Sequence, residues 1–345
     1  MSKKILRSLS SWLAVGTMLV SCTAQRIPSA QQTYTPSQEQ RLVVYTSHKE
    51  EVYWPIVKEF EERTGIWVEV VSGGTNELLD RIARGSDNPA ADVMFGGGVE
   101  SLEFYRDCFA PYPCAEADMI PAQYRSEDDL WTPFSSLPMV LIYNTKLVSP
   151  EQVSSWSDLL APRFQGRIAF TDPSISGSCF TGLITYLYAV GGDGAIALQQ
   201  LASQLDGKQL LSSADVLATV ADGTNLVGIT LEETAFQRIA AGEDIAVVYP
   251  TDGTSTVPDG SALVKNAVHE DNAKLFLDFI VSWDVQQLLV SQFYRRSVRQ
   301  DVEPAQTVIP LEQIPLVDYN VEWANQNRDR ILMSWAFYLD NEVQP

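Results

Sequence analysis

Apolar and polar positions alternate in two periods from Arg41 onward. Leu42-Val43-Val44-Tyr45 is an unbroken apolar run of strand length, suited to a parallel strand buried on both faces. Val52, Ile56, Val57 and Phe60 then recur at helical spacing, with Lys58, Glu59, Glu61 and Glu62 on the opposite side. Thr64-Gly65 closes that helix. Ser47 and Glu50 stand at capping-box spacing at its head. Trp67, Val68, Val70 and Val71 predict a second strand, and Leu78, Leu79, Ile82 and Ala83 a second helix. Asp92-Val93-Met94-Phe95 predicts a third strand, running into Gly96-Gly97-Gly98 and a helix start near Val99. This order predicts a mainly parallel sheet with helices on its faces.

The same reading continues along the chain. Residues 139–143 form a strongly apolar strand leading towards a second body. Ile168-Ala169-Phe170 is a strand there, 172–178 a loop and 179–189 a helix. A further α/β stretch ends in Val227-Gly228-Ile229-Thr230, and 245–249 leads back. Helices are expected near 273–281 and 284–293, and the tail with Trp323, Trp335, Phe337 and Tyr338 is expected to be helical and docked.

The N-terminus has the three parts of a secretory signal. Lys3, Lys4 and Arg7 precede an apolar run from Trp12 to Val20 that is too short to span a bilayer. Leu19-Val20-Ser21-Cys22 resembles a bacterial lipobox, which implies cleavage after residue 21 and a lipid on Cys22. Residues 22–40 are rich in Ser, Thr, Gln and Pro and read as a flexible tether. The product is expected to be an exported periplasmic or cell-surface lipoprotein that meets the membrane through its anchor only. About 305 residues follow the tether, more than one core usually organises, so two lobes of about 150 are expected. Residues 41–143 with about 251–310 are assigned to the first lobe, 144–250 to the second, and 311–345 to a docked C-terminal helical segment.

Charge and cysteines narrow the function classes. The formal charge is -20, from 44 acidic and 24 basic residues, with no basic run, so nucleic acid is not an expected partner. Cys108 and Cys114, either side of Phe109-Ala110-Pro111-Tyr112-Pro113, are expected to close a small disulfide loop, the alternative being two unpaired thiols. Cys179 is left as a packing residue. His48 and His269 are the two histidines, and without a Cys/His cluster neither a metal site nor a cofactor is expected. A nucleophile elbow, a Walker loop and a paired-histidine motif are all missing, and Glu232-Glu233 as strand neighbours would point apart, so the chain does not read as an enzyme.

Four loops are rich in hydrogen-bond donors. They are Thr46-Ser47-His48, Gly73-Gly74-Thr75-Asn76, Gly96-Gly97-Gly98 and Ser174-Ile175-Ser176-Gly177-Ser178-Cys179. Each falls at the carboxyl end of an expected strand, where open α/β sheets bind ligands, and each precedes a helix whose first N–H groups lack partners. Several such ends converging on one cleft would hold an anion without an arginine. The expected anion-site residues are Ser47, His48, Thr75, Asn76, Gly97, Gly98, Ser176, Gly177 and Ser178.

Over nearly all of this length the chain resembles the extracellular solute-binding proteins of the ferric-iron-receptor type. RLVVYTSHKEEVYWPIVKEFEERTGIWVEVV, ADVMFGGG, FTDPSISGSCFT, VYPTDGTSTVPDGSALVKN and HEDNAKLFLDFIVSWDVQ carry the resemblance, in the family's order. It implies a two-lobed α/β fold of the type II periplasmic-binding-protein kind, joined by crossover strands, serving an ABC importer permease and working as a monomer. His48 stands where the family's iron-ligand histidine does, but Gly228-Ile229-Thr230-Leu231-Glu232-Glu233-Thr234-Ala235 lacks the adjacent tyrosines of its iron receptors. GITLEETA and YRRSVRQDV are closer to the branch that binds hexose phosphates or related organophosphates. A small anionic solute, a sugar phosphate, is therefore expected, with Glu232, Glu233 and Asp252 near the lobe junction accepting from sugar hydroxyls. The alternatives are ferric iron, a phosphonate or a thiamine-type solute, and, outside the receptor class, a lipid-anchored enzyme on phosphorylated substrates.

Overall fold

The computed structural model describes residues 36–342. The expected signal peptide, Cys22 and the tether as far as residue 35 lie outside the described residues. The first strands and helices are β1 (Arg41–Thr46), α1 (Glu50–Thr64), β2 (Trp67–Ser72), α2 (Thr75–Arg84), β3 (Val93–Gly98) and α3 (Val99–Phe104). β1 runs parallel between β2 and β3, with Arg41 opposite Trp67 and Val44 opposite Val93. The helical spacing read along α1 is the buried stripe: Val52, Ile56, Val57 and Phe60 all face inward.

After β4 (Phe109–Ala110) and β5 (Thr132–Ser136) the chain crosses to a second sheet. That sheet consists of β6 (Met139–Asn144), β7 (Ile168–Ala169), β8 (Val227–Leu231) and β9 (Ile245–Val248), in the order β7-β8-β6-β9. Its helices are α4 (Gly177–Val190), α5 (Gly194–Leu205), α6 (Ala214–Ala221) and α7 (Glu232–Ala240). The chain then returns through β10 (Pro258–Val264), α8 (Glu270–Ile280), α9 (Trp283–Phe293) and β11 (Arg296–Ser297) to the first sheet. That sheet is ordered β11-β5-β10-β3-β1-β2, with β4 also on β10. The strand at 139–144 stands in the second sheet, so the crossing falls at Leu137-Pro138, ahead of that strand rather than behind it.

Both sheets are mixed, not mainly parallel. β10 is antiparallel to β3, β4 and β5, and β6 is antiparallel to β8 and β9. The reason is topological. β5, β6 and β10 flank the crossings, and a chain arriving from the other sheet needs no crossover helix to set its direction.

Alternation along the strands splits the first sheet's core in two. Leu42, Val44, Val93 and Phe95 pack on one face against Phe60, Phe134 and Phe276, while Val43, Tyr45 and Met94 pack on the other against Leu78, Leu102 and Trp131. The same division separates the two cysteines. Cys108 packs against the second of these clusters and Cys114 against the first, with β4 between them. Both are free thiols, so the expected Cys108–Cys114 bridge is not formed.

Two terminal segments are docked. The tether was expected to run to Gln40, but a short turn at Gln38–Gln40 is held to α8 and the residue before it: Gln38 Oε1 lies 3.0 Å from His269 Nε2, and Asn272 Nδ2 donates to the Glu39 carbonyl at 3.0 Å. At the other end, α10 (Val321–Gln326) and α11 (Arg328–Glu342) follow a connection that pairs Leu316 with Thr254. Trp335 of α11 is 2 % exposed and joins the second sheet's core beside Phe170. Among the described residues, no helix is long and apolar enough to cross a membrane.

Candidate functional site

A cleft of about 690 Å³ opens between the two sheets, within the 300–1,000 Å³ range of small-molecule sites. The first sheet contributes the carboxyl ends of β1 and β3, the start of α2 and strand β10. The second contributes the loop into α4, the residues before α6, and the β8–α7 junction.

The anion-site residues expected from sequence all line this cleft: Ser47, His48, Thr75, Asn76, Gly97, Gly98, Ser176, Gly177 and Ser178. Their local roles differ from the expectation in one place. Ser47 caps nothing, because the N-cap of α1 is Lys49 with no side-chain bond to the helix. Thr46 shapes that turn instead, its hydroxyl accepting from the His48 N–H at 3.1 Å and donating to the Phe95 carbonyl at 2.9 Å. Ser176 caps α4, accepting from the Cys179 N–H at 3.3 Å. Gly74 begins α2 without a side chain, leaving its first N–H groups to the cleft. The helix starts of α2 and α4 face each other closely. A Cβ on Gly177 would stand 3.8 Å from the Gly98 nitrogen and 3.9 Å from the Thr75 hydroxyl. Asn76 Nδ2 crosses the cleft to donate to the Ser174 carbonyl at 2.9 Å.

A charged floor lies deeper. Arg295 Nη1 donates to Asp259 Oδ2 and to the Ser135 hydroxyl, both at 2.8 Å, and Nη2 lies 3.4 Å from Glu233 Oε1. Asp259 Oδ1 accepts from the Ser135 N–H and O–H, each at 2.8 Å. His48 Nε2 is 3.6 Å from Asp259 Oδ2, beyond hydrogen-bond reach. Burial, and then the Arg295 charge, push the His48 pKa down to about 3 against the opposing pull of Asp259, so the ring is neutral at physiological pH. Burial opposes the charge on Arg295, but Glu233 and Asp259 outweigh it and hold its pKa above the ordinary arginine value. His48 Nε2 and Arg295 Nε are buried without partners.

The acids expected to meet sugar hydroxyls separate. Glu233 lines the cleft; Glu232 and Asp252 do not. Glu232 is 1 % exposed and accepts both Nε and Nη2 of Arg296 at 2.8 Å. Asp252 accepts the Trp156 N–H at 3.0 Å and the Ser157 N–H at 3.3 Å, capping a helical turn away from the cleft. Glu232 and Glu233 belong to the first turn of α7, not to a strand, and they are buried. Arg295, Asp259, Lys49 and Gln237 line the cleft and were missing from the expected set. The doublet Arg295-Arg296 in YRRSVRQDV was the available signal for the first of these.

Among the described residues, the cleft lining contains no tyrosine, and no group of three or more His, Cys, Asp or Glu could hold a metal ion.

Comparison with known proteins accords with this architecture. The sequence signature described as "Bacterial extracellular solute-binding protein" matches residues 89–320. Iron uptake protein A1 of Synechocystis sp. is 27 % identical over 303 residues, covering 83 % of each chain. A putative 2-aminoethylphosphonate-binding periplasmic protein of Salmonella typhimurium is 23 % identical over 254 residues, 71 % of this chain and 74 % of that one. The periplasmic binding protein AfuA of Actinobacillus pleuropneumoniae, solved with fructose-6-phosphate, superposes with a TM-score of 0.80 at 23 % identity, over 87 % of this chain and 98 % of that one.

Proposed function

We propose that this chain, which belongs to the family of bacterial extracellular solute-binding proteins, captures a small organophosphate, a sugar phosphate, between its two lobes. The class is that of a periplasmic solute receptor of an ABC transporter, a binding protein and not an enzyme. The solute, the lipid on Cys22 and the monomeric state belong to the proposal.

One observation carries the choice of solute. The starts of α2 and α4 converge on a single cleft whose floor offers Glu233 and Asp259 as acceptors. A phosphate among Thr75, Gly98, Ser176, Gly177 and Ser178 meets backbone N–H groups and hydroxyls, backed by the positive ends of two helices. The polyol then lies over Glu233, Asp259 and Gln237, where hydroxyls donate. Iron(III) is disfavoured, because phenolate ligands are missing from the lining. Both lobes contribute groups, so a bound solute stabilises the closed arrangement over the open one.

A second reading has its own support. Glu77, Asp80, Glu233 and Asp259 outnumber Lys49 and Arg295 along the cleft, and His48 is neutral. That balance suits a solute that carries an ammonium group beside its acid, such as an aminoalkyl phosphonate.

Calorimetry of the purified receptor against fructose 6-phosphate, inorganic phosphate, 2-aminoethylphosphonate and Fe(III) tests both readings. Tight binding of the hexose phosphate with weak binding of inorganic phosphate is expected. Preference for the aminophosphonate selects the second reading. Tight Fe(III) binding with no response to any phosphorylated compound overturns both.

A further inference from the structure

We propose that two adjacent arginines and two adjacent glutamates divide the work of the hinge, Arg296–Glu232 acting as its pin and Arg295–Glu233 as a latch on the cleft side. The inference rests on the reading of the cleft as a closing site, not on the identity of its solute.

The geometry starts from the crossing at Leu137-Pro138. Arg296 in β11 stands opposite Ser136, the last residue of β5. Glu232 begins α7, and its N–H donates to the Pro138 carbonyl at 2.9 Å. The two side chains therefore meet over the crossing itself, one rooted in each sheet. They form a two-point fork, Nε to Oε2 and Nη2 to Oε1, both at 2.8 Å, with side chains 6 % and 1 % exposed.

The same pair reaches two further segments between the sheets. Tyr249, just past β9 where the chain leaves the second sheet, donates its hydroxyl to Glu232. Arg296 Nη2 also donates to the Ile309 carbonyl at 2.7 Å, in the segment leading from β11 to the C-terminal helices. One ion pair thus touches three segments that link the two sheets. A two-point arginine–carboxylate fork is planar and directional, and in a dry site an unpaired partner is strongly disfavoured. Such a contact persists while the bodies on either side rotate about it.

The neighbouring pair is built differently. Arg295 spends Nη1 on Asp259 and Ser135 of its own lobe and reaches Glu233 of the other through a single 3.4 Å contact. It lines the cleft, and its Nε has no partner. Made through one longer contact on the cleft side, this pair parts when the lobes open, and each side retains other partners: Gln237 donates to Glu233 at 3.1 Å. Parting leaves neither charge stranded, the property a latch requires and a pin does not have.

Pulsed electron-resonance distances between labels on unnatural amino acids at the exposed positions Lys58 and Lys146 separate the two roles. The solute-free wild type is expected to give a narrow distribution with a short component. Glu233→Gln should move the solute-free mean to longer distance while leaving the width of each component unchanged. Arg296→Lys, which keeps the charge and removes the fork, should broaden the distribution with and without solute. Glu232→Gln should do the same; if that variant fails to fold, Arg296→Lys with a native circular-dichroism spectrum decides alone. Wild-type distributions in both Glu233→Gln and Arg296→Lys overturn the proposal. So does an Arg296→Lys variant whose mean lengthens and is fully restored by solute, since the inner pair is then another latch. If no compound in the panel binds the wild type, the solute reading fails while the solute-free measurements still decide this one.

Discussion

The imidazole of His48 lies against the Cα of Gly96, so closely that a Cβ at position 96 would stand 2.7 Å from the ring's Cε1. Gly96 has φ +84, in the region that favours glycine. Backbone and ring are thus fitted to each other at the end of β3. Gly96→Ala is expected to displace His48 from the cleft floor, destabilise the fold by about 1–3 kcal/mol and weaken solute binding. Denaturant melts and calorimetry on the variant check this; wild-type values for both would show that the ring has room to move.

The depressed pKa of His48 has a definite consequence for stability. The unfolded chain binds a proton near pH 6.5 and the folded chain near about 3. Between those values the unfolded state holds more protons, so stability is full above pH 6.5 and falls as the pH drops towards 3. At 1.36 kcal/mol per unit, the loss between pH 6.5 and 5 is about 2 kcal/mol. His48→Gln should flatten this part of the profile. A His48 ring that titrates near 6.5 by NMR would contradict the assignment.

Glu100 behaves in the opposite sense. It is 1 % exposed, accepts from Thr181 of α4 at 3.0 Å and from Tyr319, and burial raises its pKa above the ordinary carboxylate value. The folded state then holds the extra proton, so this group's contribution is present below the unfolded pKa and is lost as pH rises through the folded one. Glu100→Gln keeps an acceptor for both partners and cannot ionise. The variant should gain melting temperature relative to wild type as pH increases from 4 to 8; a constant difference across that range would mean that Glu100 titrates normally.

At the mouth of the anion site, Ser176→Asp introduces a like charge beside the start of α4. Binding of any phosphorylated solute should fall below detection while the fold stays intact, because Asp also caps helices well. Retained binding would move the phosphate elsewhere in the cleft.

Free thiols at Cys108 and Cys114 are expected to appear as two unlinked peptides in a non-reduced map. Burial, with Asp278 nearby, pushes the Cys114 thiol up to about 11, so its alkylation at pH 8 should be slow. A linked pair would require β4 to shift, since the two residues pack on different clusters.

Periodicity along the chain was sufficient for whatever depends on near neighbours. The stripe Val52, Ile56, Val57 and Phe60 specifies α1 and its buried side, and the apolar run at 42–45 specifies β1. Each small polar or glycine loop after such a strand comes to the cleft, because helices packed on a sheet put the strands' carboxyl ends and the helix starts on the same edge. What depended on distant partners was not legible. Glu232 and Glu233 are chemically identical neighbours in the sequence, yet one meets Arg296 over the crossing and the other meets Arg295 in the cleft. Asp252, a turn acid like many others, is consumed by Trp156, and Ser47 is spared from capping because Thr46 makes the turn. Asp259 acquires its place only when β10 returns beside β5. The sequence by itself determined the order of elements and the donors at their ends, since those follow from the chain's own period and turn chemistry. Which acids face solute and which hold the hinge was decided by tertiary structure alone, because the fate of a buried carboxylate depends on the cation that folding brings to it.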